Sequence, residues 1–165
     1  MYYDFYDSPI GPLVLVSDDD ALTALHLPHQ GEPAHVAPEW KRAPSRLRDA
    51  HAQLDAYFAG KLLAFDLDLA PRGTPFQRRV WDELLAIPYG DTISYLELAR
   101  RIGNPSAMRA VGAANGANPI ALIIPCHRVI GSNGTLTGYG GGLPAKQWLL
   151  DHERHYAPAP LLELR

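Results

Sequence analysis

The sequence predicts an α+β fold: a small N-terminal α/β unit with an antiparallel sheet, followed by a mostly helical C-terminal unit. Three observations carry this. Short β-rich runs divided by turn residues fill the N-terminal stretch. Capped amphipathic helices dominate after residue 73. The breaker Ala70-Pro71-Arg72-Gly73 separates the two patterns, so boundaries are expected at 1–72, 73–156 and a tail at 157–165.

Tyr2 to Tyr6 is a short aromatic strand, broken by Ser8-Pro9-Ile10-Gly11-Pro12, and Leu13 to Val16 is the next. Asp18-Asp19-Asp20 lacks the spaced ligands and glycine of a calcium loop, so it is a solvated turn leading into a return strand over Ala21 to Leu27. Apolar residues at Leu47, Ala50, Leu54 and Tyr57/Phe58 mark a helix ending at Gly60. Phe65 to Leu69 alternates with period two, the mark of a half-buried strand. Thr74-x-x-Gln77 with Pro75 opens a helix whose stripe is Phe76, Val80, Leu84 and Ile87. Ser94-x-x-Glu97 has the same capping spacing and opens a short helix that Gly103 ends. Asn104-Pro105 then caps a helix over roughly Ser106 to Asn115, and a last helix runs from Pro144 to Arg154.

Composition excludes several classes. With 47% hydrophobic and 20% charged residues, the 165-residue chain reads as one or two globular domains rather than a disordered segment. No apolar run approaches the roughly 18 residues of a membrane span, and Met1 to Phe5 lacks the basic and apolar regions of a secretory signal. The single cysteine rules out an internal disulfide and a multi-cysteine zinc site, and fits a reducing cytoplasm. His26-x-x-His29 stands without a nearby thiol and is not expected to bind metal. The net charge of −3 is unevenly spread: residues 1–72 hold 6 Lys/Arg against 11 Asp/Glu, and residues 73–156 hold 8 against 6. The mildly basic half leaves room for one phosphate-contacting face.

Two stretches carry chemistry. The helix pair around Gly103 is a helix-turn-helix candidate, but its second helix, Met108-Arg109-Ala110-Val111-Gly112-Ala113-Ala114, has few bidentate base readers. Small residues suit close approach to a narrow groove with one arginine as a probe; they suit tight helix packing equally well. Then Asn118-Pro119-Ile120-Ala121-Leu122-Ile123-Ile124-Pro125-Cys126-His127-Arg128-Val129 delivers the sole thiol beside a histidine and an arginine. A thiolate nucleophile needs such a base or cation, and the histidine needs a carboxylate to orient it. Glu153 and Asp151 are both candidates. Ser132-Asn133-Gly134 is a turn and Tyr139-Gly140-Gly141-Gly142 a glycine segment without the lysine of a phosphate loop.

With Pro125-Cys126-His127-Arg128-Val129 preceded by Asn118-Pro119 and followed by Tyr139-x-Gly141-Gly142 and Lys146-x-Trp148-Leu149-Leu150-x-x-Glu153, the chain resembles the O6-alkylguanine-DNA alkyltransferases across about residues 74–154. The resemblance implies a ribonuclease H-like N-terminal domain and a winged-helix-like helix-turn-helix in the C-terminal one. It implies DNA repair by irreversible, single-turnover transfer of an alkyl group from O6 of guanine, less well O4 of thymine, to Cys126. In its terms His127 is the base acting through a water, Glu153 orients it, and Asn118 braces the turn that presents the thiol. Tyr95 would bind the extruded base and Arg109 would fill the space left in the stack. Backbone groups of Cys126, Val129 and Gly140 would read the guanine edge. Ala110, Gly112, Arg128 and Tyr139 complete the DNA- or base-contacting set. The implied partner is double-stranded DNA bound through the minor groove, by a cytoplasmic monomer that is nucleoid-associated on DNA, with cooperativity left open. No cofactor, metal or membrane is expected.

The chain departs from some relatives: Ala121 stands where they have a proline that packs against bulky adducts, Asn115-Gly116 where they carry a larger apolar residue and an arginine, and the N-terminal part lacks the cysteine-rich zinc site of some members. Three other readings compete: a silent binder of alkylated DNA, which the presence of Cys126 disfavours; a helix-turn-helix regulator, which the scarcity of base readers disfavours; and a cysteine hydrolase, which leaves Tyr95 and Arg109 without a task.

Overall fold

The computed structural model describes residues 1–158; the tail expected at 157–165 lies, from residue 159 onward, outside the described residues. Strands β1 (Tyr2–Ser8) and β2 (Gly11–Ser17) form a hairpin whose register closes at Ser8 opposite Gly11. Gly11 has φ 105°, and a Cβ there would sit 2.8 Å from the Pro28 ring, so the turn requires glycine twice over. β3 (Leu22–His26) adds antiparallel to β2, and the two-residue β4 (Lys41–Arg42) adds parallel to β1, giving the order β3-β2-β1-β4.

Alternation sorts the strand residues onto two faces. Leu13 and Leu15 point into the main core with Leu54 and Tyr57 of α1 (Arg48–Phe58). Val14, Val16 and Ala24 lie on the other face under Tyr3, Phe5, Val36 and Trp40. The main core continues without a break into Val80, Trp81 and Leu84 of α2 (Pro75–Leu85), Leu98 of α3 (Tyr95–Arg101), Val111 of α4 (Met108–Gly116) and Leu149 of α5 (Leu143–Tyr156).

The predicted α+β order holds, with three local differences. Phe65 to Leu69 keeps its alternation but forms no strand: only Leu69 bridges to Leu22, and the Gln53 side chain occupies both backbone groups of Asp66. At Thr74 the capping box is complete, whereas Ser94 caps Glu97 without a return bond, because the Glu97 carboxylate is drawn to Arg101. Asn104 does not cap α4: its carboxamide oxygen accepts from Ser106, and a 3-10 turn at Pro105–Ala107 precedes the helix. Gly103 ends α3 at φ 80° as expected.

The open edge of β3 matters for function. Leu25 donates its N–H to Pro119 and its carbonyl accepts from Ala121, so the sheet edge pins the segment that leads to the thiol. On the far side β5 (Ile93–Ser94) pairs in parallel with β6 (Val129–Ile130), fixing the segment that follows it.

Candidate active site

Two tight turns deliver Cys126. Ile123 N–H bonds to the Ala121 carbonyl at 2.8 Å across Leu122, whose φ of 71° places it in the strained form of a three-residue turn. Cys126 N–H bonds to the Ile124 carbonyl at 2.8 Å across Pro125, at φ −82° and ψ 65°, the relaxed form. A left-handed leucine costs about 1–2 kcal/mol, and Asn118 holds it in place. The Asn118 carboxamide donates to the Ile124 carbonyl at 2.7 Å and accepts from Ile120 N–H at 3.0 Å, tying the loop's start to its end.

The thiol lines a cavity of about 60 Å³ with Leu27, Asn115, Gly116, Asn118, Ala121 and the segment Gly138 to Gly140. Burial pushes the Cys126 thiol up, against a hydrogen bond from Asn118 and the positive charge of Lys146. At rest the sulfur is protonated.

Behind the thiol sits a fully packed polar network. Nε2 of His127 lies 2.8 Å from Oε2 of Glu153, and both residues are buried. Arg128 grips the same carboxylate with Nε at 2.7 Å and Nη2 at 3.0 Å, and donates Nη1 to the Ile87 carbonyl at 2.8 Å. The Tyr57 hydroxyl donates to Oε2 at 2.6 Å. Burial alone would raise the Glu153 carboxyl; bonds from His127 and Arg128 outweigh it and hold the group well below the usual carboxylate range. Burial lowers His127, and the cations of Arg128 and Lys146 add to that against Glu153, so the imidazole is neutral at pH 7. An ionised carboxylate only accepts, so Nε2 carries the hydrogen and Nδ1 is the basic nitrogen. Nδ1 and the Tyr139 hydroxyl are both buried without a hydrogen-bond partner among the described residues.

The choice left open by the sequence falls to Glu153: Asp151 is exposed and takes a bond from Gln147. Arg128 is corrected. Its guanidinium is buried and spent on Glu153 and Ile87, so it does not face DNA. Val129 N–H bonds to the Cys126 carbonyl, its own carbonyl accepts from Lys146, and it does not line the small thiol cavity. Tyr139 and Gly140 do line it.

Tyr95, Arg109 and Gly112 meet elsewhere, around an open hollow of about 330 Å³ with Met108, Gly131 and Ser132. Arg109 and Ala110 are exposed on α4, and Arg109 makes no hydrogen bond or ion pair with the described residues. The Tyr95 hydroxyl accepts from Thr137 at 3.3 Å. Trp81 fixes the helix from behind, donating its indole N–H to the Ala114 carbonyl at 2.8 Å.

Sequence reasoning missed three contributors. Lys146 is buried and donates to the carbonyls of Val129 at 2.7 Å and Thr137 at 2.9 Å, tying the glycine segment to β6. The helical spacing Lys146, Leu149, Leu150, Glu153 was the available signal, since it turns both charged residues inward with the leucines. Tyr57 read only as part of an apolar stripe, although a buried tyrosine needs a hydroxyl partner. Leu27 reaches the cavity from the end of β3 and carried no signal.

Known proteins resemble this chain over nearly its whole length. The ribonuclease-like domain model of 6-O-methylguanine DNA methyltransferase matches residues 1–71, and its DNA-binding domain model matches residues 75–155. A methylated-DNA–protein-cysteine methyltransferase of Mycobacterium tuberculosis is 54% identical over 98% of this chain and 97% of its own. One from Methanosarcina acetivorans is 51% identical over 93% and 98%. The crystal structure of Mycobacterium tuberculosis OGT in complex with DNA superposes with a TM-score of 0.88 at 52% identity, covering 100% of both chains. With relatives this similar over nearly its whole length, the chain belongs to the 6-O-methylguanine DNA methyltransferase family.

Proposed function

We propose that this protein repairs double-stranded DNA by moving a methyl or larger alkyl group from O6 of guanine, and less readily from O4 of thymine, to Cys126. One observation carries the reading: Glu153 lies 2.8 Å from Nε2 of His127, the residue that follows the only thiol of the chain, and Nδ1 of that histidine has no hydrogen-bond partner among the described residues. Close relatives named methylated-DNA–protein-cysteine methyltransferases support it.

In the proposed mechanism Nδ1 of His127 takes the thiol proton through a bridging water, and Glu153 stabilises the imidazolium that forms. The thiolate attacks the alkyl carbon. The S–C bond forms as the C–O6 bond breaks, and the electron pair leaves on the guanine, which is then protonated. Donors near the leaving base, the Tyr95 hydroxyl among them, stabilise that charge. The product is a thioether, and the chain has no second thiol to reverse it. Each molecule therefore turns over once.

O6 of a paired guanine is out of reach, so the base leaves the stack at a cost of a few kcal/mol. In this reading α4 enters the minor groove, where Ala110 and Gly112 allow close approach and Arg109 fills the gap. A cavity of about 60 Å³ is too small for a purine, so Gly138 to Gly140 shift to admit it, and Tyr139 and Gly140 then border the base. Asn118 and Arg128 act from behind, the first on the turn and the second on Glu153. Residues 1–72 and 73–156 are two units, supported by the separate family models on either side of Gly73. The protein acts as a cytoplasmic monomer, associated with the nucleoid while on DNA; the lone thiol supports the reducing compartment.

The test compares methyl transfer from a duplex containing O6-methylguanine with transfer from the free base, for wild type and Arg109→Ala. The substitution slows only the duplex reaction, and a minor-groove ligand such as netropsin competes with the wild type. Equal slowing on both substrates, or indifference to netropsin, contradicts the docking mode.

A further inference from the structure

We propose that Tyr57, a residue of the N-terminal unit, is a positioning residue of the transfer reaction: its hydroxyl holds the charge of Glu153 on Oε2 and so sets how readily His127 accepts a proton. The inference rests on the mechanism above, with His127 as base.

The geometry is specific. Tyr57 is 1% exposed, and its hydroxyl donates at 2.6 Å to the same oxygen that receives Nε2 of His127 at 2.8 Å. Arg128 spans both carboxylate oxygens, so it fixes the orientation of Glu153 without help. The phenol therefore adds little to aim. What it changes is charge: a third donor on Oε2 draws electron density away from the bond to His127. The ring cannot swing away, because it stacks on Phe65 at 5.4 Å and meets Phe58 edge-on at 5.1 Å. Its own carbonyl is held at 2.8 Å by Nε2 of His152 on α5. Helix α1 is thus fastened to α5 at the Glu153 carboxylate and at the neighbouring His152.

The charged and titratable groups around this pair come from every packed element. Arg128 and Cys126 flank His127 in sequence, Lys146 and Glu153 face it from α5, and Tyr139 approaches from the glycine segment with ring centroids 6.5 Å apart. Tyr89 lies near Glu153, with its ring 6.2 Å from that of Tyr57. Burial pushes the Tyr57 phenol far up, so it stays a donor throughout the working pH range. None of the other groups bonds to Oε2 except Arg128 and His127. Removing the Tyr57 hydroxyl leaves Oε2 richer in charge and His127 more basic, so imidazolium persists to higher pH and less free base is available.

The experiment measures single-turnover methyl transfer from an O6-methylguanine duplex between pH 5 and pH 8 for the full chain. Tyr57→Phe moves the half-rate pH of the acid limb upward by about 0.5 to 1 unit and lowers the rate on that limb by about threefold to tenfold, with duplex affinity unchanged. Tyr6→Phe is the control: it removes an equivalent bond, Tyr6 to Asp55 at 2.7 Å, from the same unit and leaves the half-rate pH in place. Incorporation of 3-fluorotyrosine at position 57 keeps the ring and strengthens the donor, and moves the half-rate pH downward. A Tyr57→Phe protein that melts earlier but keeps the wild-type profile overturns the proposal. If that variant does not fold, an unshifted profile with 3-fluorotyrosine overturns it instead. Absence of methyl transfer by wild type strikes the underlying mechanism, and is thereby separable from failure of Tyr57 alone.

Discussion

Arg128→Met gives the sharpest separation between a DNA contact and a structural role. Methionine replaces the apolar stem at similar volume and removes the guanidinium. Glu153, 1% exposed, then loses both bonds to Arg128 and keeps only His127 and Tyr57, while the Ile87 carbonyl loses its donor. Breaking a buried pair on one side costs about 3–5 kcal/mol, because the other charge stays buried and uncompensated. In a protein of this size each kcal/mol lowers Tm by roughly 2–4 °C, so the expected fall is about 6–20 °C. Urea unfolding and thermal melts give the stability, and fluorescence anisotropy well below Tm gives the affinity of the folded variant for a duplex. The expected outcome is a large loss of stability with duplex affinity unchanged. An unchanged Tm with weakened duplex binding would refute the inward placement of Arg128.

Three further outcomes follow from the same geometry. Asn118→Ala removes both bonds across the Leu122 turn and is expected to cost about 1–3 kcal/mol and to slow transfer by roughly tenfold to a hundredfold; an unchanged single-turnover rate contradicts the bracing role. Leu27→Ala enlarges the thiol cavity from the N-terminal side and raises the rate for O6-benzylguanine relative to O6-methylguanine, whereas a fixed ratio means Leu27 does not limit adduct size. The third concerns pH. His127 and Glu153 both bind protons less readily folded than unfolded, so each stabilises above its unfolded value and loses that contribution on acidification. Tm is therefore expected to hold near pH 8 to 7, fall below about pH 6.5 as His127 begins to matter, and fall further below about pH 4.3; a flat Tm from pH 7 to 4 refutes this.

Local signals in the sequence were legible where the chain decides its own conformation. Thr74 with Gln77 formed the capping box its spacing predicts, Gly103 ended its helix in the left-handed region, and the hairpin closed at Gly11. Failures occurred where a distant partner decides. Phe65 to Leu69 alternates as a strand does, but it meets a sheet edge at one residue and a glutamine side chain elsewhere. Glu97 had the spacing of a capping box and bonded to Arg101 instead. The site divides the same way. Cys126 and His127 were visible as adjacent chemistry-bearing residues, Glu153 as one of two carboxylate candidates, and Asn118 only through the family resemblance. The inward turn of Arg128 depended on the Ile87 carbonyl and on Glu153, far away in sequence, and Tyr57 and Leu27 reach the site through tertiary packing alone. Lone polar residues on buried helical faces, Lys146 and Tyr57 above all, are the cues that sequence reading can use better.

The most direct measurement is the intact mass of the protein after incubation with a duplex carrying one O6-methylguanine. Transfer to Cys126 predicts that each molecule gains one methyl group, that peptide mapping places it on that residue, that the duplex is left with guanine, and that Cys126→Ser gains nothing. A protein of unchanged mass that nevertheless restores guanine, or a methyl group found on any other residue, would contradict it.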